Sequence, residues 1–201
     1  MWDERYSRPG FMFGTDPAAF LVAQKKYLIR GQSALAVADG EGRNSVYLAE
    51  RGLEVTAIDS SEVGLDKARG LAAARSARVD YQLADLKTFD WGTRQYDLVV
   101  AIFIQFAGPD FRAEIFAGLK AALKQGGVLL LHGYTPKQIE FGTGGPPSAA
   151  NMYDETMLQT TFDDLEILDL RAYEKVIDEG PGHSGRSALI DMVARKPPGW
   201  G

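Results

Sequence analysis

The sequence predicts an α/β protein built on a doubly wound, mostly parallel sheet of seven strands, closed by an antiparallel C-terminal hairpin. Three observations predict it. Short apolar runs alternate with helix-length segments from residue 34 to residue 131. The early runs stop at acidic or glycine-rich turns. The last third changes to two long strand-like segments joined by a Gly- and Pro-rich turn. Repeated strand–helix–strand units with short links fold as right-handed crossovers into a parallel sheet. A hairpin added to one edge of that sheet fits the final segments.

The elements follow in order. Residues 1–15 lack periodicity, and Asp16-Pro17 opens a helix to about Arg30. Ala34–Ala38 is the first strand, ending at Asp39-Gly40-Glu41-Gly42. Asn44 caps a helix that stops at Gly52. Leu53–Ile58 is the second strand and ends at Asp59; Ser60 or Ser61 caps a helix from Glu62 to Arg75. Val79–Leu83 is the third strand, with Asp85 just beyond. Leu98–Ile104 is wholly apolar, as expected of a central strand covered on both faces. Pro109 opens a helix to Lys124, Gly126-Gly127 ends it, and Val128–Leu131 is the fifth strand. Residues 139–150 form a Gly/Pro-rich loop and 154–161 a short helix. Strands near 166–177 and 187–195 flank the Gly180–Gly185 turn.

Composition narrows the function classes. With 201 residues, 45% apolar and 24% charged, residues 1–201 form one domain with a substantial core and no room for a second. The net charge of −5 argues against nucleic acid and anionic lipid as partners. The absence of cysteine excludes disulfide scaffolds, iron–sulfur clusters and a thiol nucleophile, and no metal-ligand cluster is evident. The longest strictly apolar run, Leu98–Ile104, is far short of a bilayer span. Asp3 and Glu4 stand where an export signal needs basic residues, so a cytoplasmic address is expected.

In an open α/β sheet, ligands bind beyond the carboxyl ends of the strands. There the sequence places Gly40-Glu41-Gly42 after strand one, Asp59 after strand two and Asp85 after strand three. Glycines admit a ligand close to the backbone. A carboxylate at Asp59 suits a ribose diol, and one at Asp85 suits an exocyclic amine such as adenine N6. Alone, a Gly-x-Gly is only a turn, and either acid serves equally well as a cap. Their order selects an adenosine-containing ligand. A dinucleotide fingerprint fails, because Ser45 stands where its third glycine belongs; no Tyr has a Lys four residues on, and no Gly-Lys-Ser/Thr occurs.

The stretch ALAVADGEGRNSVYLAERGLEVTAIDSS (34–61) resembles the first two motifs of class I S-adenosylmethionine-dependent methyltransferases. GRNSVYLAERG is similar to the tellurite-resistance-type branch, and the likeness continues through Asp85, YDLVVA, LKQGGVLLL, FGTGGPP and HSGRSALIDMVARKP. The resemblance implies a Rossmann-like methyltransferase fold, S-adenosyl-L-methionine as cofactor and S-adenosyl-L-homocysteine as product. It implies that Gly40 and Gly42 line the methionine and ribose, with Arg43 and Asn44 beside them. Asp59 holds the ribose hydroxyls, Ser60 lies by the adenine, Asp85 takes adenine N6 and the Leu86 amide a ring nitrogen. Ala101 to Phe103 flank the methionine moiety. One departure stands out: Ala36 and Ala38 occupy the positions of the family's strand-one acid and the glycine after it. That substitution implies weaker cofactor binding or replacement by Asp39 or Glu41.

Methyl transfer is an in-line displacement that needs positioning and dryness more than acid or base, so no catalytic residue is assigned. The acceptor is expected to be a small molecule. Phe103, Gln105 and Phe106 follow strand four and suggest a mostly apolar pocket for a soft chalcogen or metalloid, or a heterocycle nitrogen. The aromatic N-terminal stretch, with Trp2, Arg5, Tyr6, Phe11 and Phe13, reads as a lid over a sulfonium or as a strap over core. His132 reads as ligand-facing or, preferably, as a packed strand end. His183, with Arg186 nearby, reads as a substrate cover or as an exposed turn. The alternatives to methyl transfer are a cofactor-binding module without turnover and an enzyme using the cofactor for another reaction.

Overall fold

The computed structural model describes residues 2–199. Met1, the first residue of the expected cover, and Trp200 and Gly201 lie outside the described residues. In chain order the elements are α1 (Trp2–Tyr6), α2 (Ala19–Ala23), a 3-10 turn (Lys25–Tyr27), β1 (Ser33–Val37), α3 (Arg43–Glu50), β2 (Glu54–Asp59), α4 (Glu62–Ala74) and β3 (Val79–Leu83). Then come β4 (Tyr96–Ile102), α5 (Pro109–Ala121), β5 (Leu123–Tyr134), α6 (Gln138–Phe141), a 3-10 turn (Ala149–Asn151), α7 (Glu155–Thr161), β6 (Glu166–Asp178) and β7 (Ser184–Arg195).

The sheet has seven strands in the order β3-β2-β1-β4-β5-β7-β6. β1 to β5 pair in parallel, and β7 pairs antiparallel with both β5 and β6. The period of two along each strand sends alternate residues to opposite faces. Leu35, Val37, Val99, Ala101, Leu129 and Leu131 meet α5 on one face. Ala34, Ala36, Leu98, Val100, Leu130 and Leu48 of α3 pack with Phe20 and Leu21 of α2 on the other. Strand order reverses between β1 and β4, which opens a crevice at their carboxyl ends. No helix among the described residues is long and apolar enough to cross a membrane.

Three expectations need correction. The aperiodic N-terminus begins with the one-turn helix α1, held by the Asp3 carboxylate, which accepts from Ser61 Oγ at 2.5 Å and Val63 N at 3.3 Å. The helix expected from residue 17 to 30 is only α2 and a 3-10 turn. Its first amides are taken by distant partners, Ala18 N by Asn44 Oδ1 and Ala19 N by Glu179 Oε1. The Gln24 amide is shared between the Phe20 and Leu21 carbonyls, which tightens the coil. The helix expected to reach Lys124 stops at Ala121, because Leu123 already pairs with Tyr96. Gly127 permits that early start: a Cβ there would meet Lys124 O at 2.8 Å and Tyr96 O at 3.0 Å.

Candidate functional site

The crevice is a cavity of about 500 Å³, in the range of small-molecule sites. Its floor is the row of strand tips. Ala38 follows β1 at φ 49 and Phe103 follows β4 at φ 55, so both hold left-handed backbone that a side chain resists. Such strain gathers where a site needs a fixed loop shape. It also gives a physical reason why a glycine would sit easily at the position of Ala38.

The acidic ledge comes next. Asp59, buried, accepts from Gly40 N through Oδ2 at 2.8 Å and from Ser61 N through Oδ1 at 2.9 Å. Burial raises its pKa, and the amides at Ser61 and Gly40 oppose the rise. Each oxygen retains a lone pair for a ligand. Asp39 accepts from the Ser45 hydroxyl and from Ser45 N at 3.2 Å, covering an early amide of α3. Burial pushes Asp39 up to about 6, against the Ser45 donors. Exposed Asp85 accepts from Lys87 N at 2.9 Å and lines the same cavity as Asp59, so the two acids share one end of the sheet.

A cover closes the cavity from above. Tyr6 is buried, with its hydroxyl over Gly40, where a Cβ would stand 2.6 Å from it. Burial and the nearby Asp59 carboxylate raise the Tyr6 pKa. Rings then follow one another: Trp2 stacks on Tyr6 at 5.6 Å, Tyr6 meets Phe13 edge-on at 6.5 Å, and Phe13 stacks on His183 at 4.5 Å. His183 in turn stacks on Phe103 at 4.1 Å. The strap is fastened at several points. Glu41 accepts from Met12 N at 2.7 Å and pairs with Lys67 at 3.0 Å. Lys67 also donates to Arg8 O and Gly10 O. Gly182 N donates to Met12 O at 2.9 Å, and Arg43 pairs with buried Glu179 at 2.9 Å.

Most of the expected site residues meet here. Gly40, Arg43, Asn44, Asp59, Ser60, Asp85, Leu86 and Phe103 line the cavity, as do Trp2, Arg5, Tyr6, Gln105 and His183. Four do not. Gly42 caps α3 in a left-handed conformation and packs against Ala68, where a Cβ would come within 2.7 Å. Ala101 is enclosed in the core. His132 is buried behind Phe103 and Phe20, with Nδ1 2.7 Å from Asp191 Oδ1. Arg186 pairs with Glu174 on the outer face. Asn44 is not a cap, since its side chain serves Ala18 N, and Ser61 rather than Ser60 caps α4. Glu41 is committed to the strap, which leaves Asp39 as the acid on the cavity side of β1.

Sequence reasoning missed Tyr134, Phe111 and Asn151, all in the lining. Tyr134 carries no local signal, since it stands beyond the apolar run Val128–Leu131. Gln105 is a tie rather than a free arm: its amide donates to Tyr134 O at 2.8 Å and accepts from Tyr134 N at 2.7 Å. Among the described residues no cluster of His and acidic side chains could hold a metal ion.

Residues 34–127 match the model of a methyltransferase domain. A ubiquinone biosynthesis O-methyltransferase of Idiomarina loihiensis is 36% identical over 98 residues, covering 48% of this chain and 40% of that protein. The chain thus spans less than half the length of the curated relatives it matches. Among solved structures, TehB from Haemophilus influenzae superposes with a TM-score of 0.70 at 20% identity, over 97% of this chain and 65% of that one. A structure solved for the conversion of a disulfide bond into a thioacetal group during echinomycin biosynthesis gives 0.76 at 20% identity, over 98% and 90%. These likenesses establish the fold.

Proposed function

We propose, from the match of residues 34–127 to a methyltransferase domain together with the resemblance to class I S-adenosylmethionine-dependent methyltransferases, that this protein moves a methyl group from S-adenosyl-L-methionine to a small-molecule acceptor. The observation that carries the reading is one cavity with two unlike walls, acidic strand tips on one side and an aromatic, largely apolar wall on the other.

The acidic wall fits the cofactor. Asp59 offers its two spare lone pairs to ribose hydroxyls, and Asp85 and the Leu86 amide reach for the adenine edge. Asp39 supplies negative charge where the family's strand acid is replaced by Ala36. When bound, the cofactor supplies a methyl group on a positively charged sulfur. The chain's own task is to hold the acceptor in line and keep water out, which the fastened cover of Tyr6, Phe13 and His183 serves. We place the whole of residues 1–201 in one cofactor-binding domain with residues 1–15 as its cover.

The acceptor wall comprises Phe103, Phe106, Phe111, Pro146 and Pro147. It favours a small, flat or soft nucleophile: sulfur, another chalcogen or metalloid, or a heterocycle nitrogen. A second reading, a cofactor-binding module without turnover, is favoured by Ala36 alone. Calorimetry with S-adenosylmethionine and S-adenosylhomocysteine, followed by assay of homocysteine-form release on an acceptor panel, separates the two. Tight binding with turnover supports methyl transfer; tight binding with no turnover on any acceptor supports the module; no binding overturns both.

A further inference from the structure

His183 is a closely confined polar group in the cavity wall. It leaves 6% of its surface exposed, and its two ring faces are covered by Phe13 at 4.5 Å and Phe103 at 4.1 Å. Its Nδ1 lies 2.5 Å from the Tyr134 hydroxyl. With both faces and one edge covered, the edge bearing Nε2 is what remains toward the cavity, and Nε2 has no hydrogen-bond partner among the described residues. The position is fixed from behind as well. Gly144 bridges to His183, and Gly144 and Gly145 pack so closely on Gly182 and Tyr134 that a Cβ at either would clash.

The proton on that pair can be assigned from acid strength. A phenol is a far stronger acid than a neutral imidazole N–H, and imidazole nitrogen is the better acceptor, so Tyr134 donates to Nδ1. The ring stays neutral, because burial and the nearby Arg43, His132 and Arg5 depress its pKa to about 3. Burial and Glu179 raise the pKa of Tyr134, which therefore keeps its proton. A neutral ring that accepts at Nδ1 must carry its hydrogen on Nε2. Nε2 is not among the buried unpartnered atoms, so it opens on the cavity, where a ligand atom that accepts can take the place of solvent.

We propose that His183 Nε2–H is a fixed donor for the nucleophilic atom of the acceptor, and that this atom is the ionised oxygen or sulfur of an aromatic hydroxyl or thiol. The inference rests on the methyl-transfer reading above; it keeps sulfur as an acceptor atom and puts phenolic oxygen in place of the other soft acceptors. The donor takes one lone pair of the anion and leaves another free to attack. It lowers the acceptor's own pKa, so the acceptor proton leaves to solvent on binding and no general base is needed. During transfer the X–C bond forms from that free lone pair while the S–C bond breaks, its electrons remaining on sulfur. Arg5 lines the same cavity in no ion pair among the described residues, and its charge favours an anion. His183 contacts the reacting atom, and Tyr134 is a positioning residue.

The test uses 4-nitrophenol, whose visible absorbance reports its ionisation, with 4-nitroanisole as the matched probe lacking the proton. In the full chain saturated with S-adenosylhomocysteine, bound 4-nitrophenol is expected to ionise at least one pH unit lower than free, and 4-nitroanisole to bind at least tenfold more weakly. His183→Leu is expected to abolish the shift; His183→Gln, which keeps a donor, to restore part of it. Tyr134→Phe frees Nδ1 and is expected to mix the tautomers, seen in ring 15N resonances, while wild type shows hydrogen on Nε2 alone at pH 7. An unprotonated Nε2 in wild type, an unshifted or raised nitrophenol pKa, or no nitrophenol binding overturns the proposal. The 15N readout keeps this decision open to failure even where His183→Leu does not fold. Absence of S-adenosylhomocysteine binding would instead overturn the functional reading, with the 15N and nitrophenol measurements on the chain alone still deciding the donor.

Discussion

The two walls of the cavity are built by opposite means. The acidic ledge is closed by short-range bonds: Asp59 to Ser61 and Gly40, Asp39 to Ser45, each within a strand and the helix or strand beside it. The cover is closed by residues far apart in the chain, with Gly182 bonded to Met12, Ala19 to Glu179 and Tyr134 to His183. The ledge therefore forms with the sheet, whereas the cover depends on the two ends of the chain meeting. A cofactor that contacts the ledge and an acceptor that enters beneath the cover would respond to different substitutions.

The strongest way to break this division is Asp59→Ala. It strands the Gly40 and Ser61 amides in the interior, so unfolding in urea is expected to show a loss of about 2–4 kcal/mol. Calorimetry is expected to show cofactor affinity lower by about 1.5–3 kcal/mol in the folded fraction. Unchanged affinity would remove Asp59 from the cofactor wall.

Glu41→Ala works on the cover. It releases Met12 N and Lys67 and should loosen the strap by about 1–3 kcal/mol. Trypsin cleavage at Arg5 is expected to quicken about tenfold, with the global unfolding midpoint moving less than for Asp59→Ala. A global loss as large as that of Asp59→Ala would mean that ledge and cover are one cooperative unit.

Acid titration sharpens the contrast, because the walls respond with opposite signs. His183 falls to about 3 in the fold, so its contribution is complete above its unfolded value of 6.5 and is lost as pH falls from there toward 3. Asp39 rises to about 6, so its contribution is complete below 3.8 and is lost as pH climbs through 6. Between pH 7 and 5 the two nearly cancel, leaving a net loss below about 1 kcal/mol from this pair. Asp39→Asn is expected to expose the His183 loss, about 2 kcal/mol over the same interval, in denaturant midpoints measured at each pH. A curve identical to wild type would reject the opposition.

The smallest effect belongs to the floor. Ala38→Gly relieves a left-handed alanine and should stabilise the protein by roughly 0.5–1 kcal/mol, after the flexibility cost of glycine. Thermal unfolding measures it; a loss instead would mean that the Ala38 side chain contributes packing worth more than the strain.

Much of the ledge was legible in the chain because its parts are close in sequence and each type has few uses there. A glycine turn after β1, an acid after β2 and another after β3 are spaced by the strand–helix repeat, and that repeat fixes which end of the sheet they share. Even there, local rules misjudged one cap: Gly42 and Asp39 occupy the role expected of Asn44, because Asn44 is drawn away by Ala18.

The sequence by itself determined the strand–helix alternation and the acidic strand tips, since periodicity and handed crossovers are properties of short segments. Only the tertiary structure decided that Phe13, Phe103 and Tyr134 would enclose His183, and that His132 would turn away to Asp191. Those contacts join β4 and β5 to both ends of the chain. Nothing local distinguishes a ring bound for the cavity from one bound for the core until the elements pack.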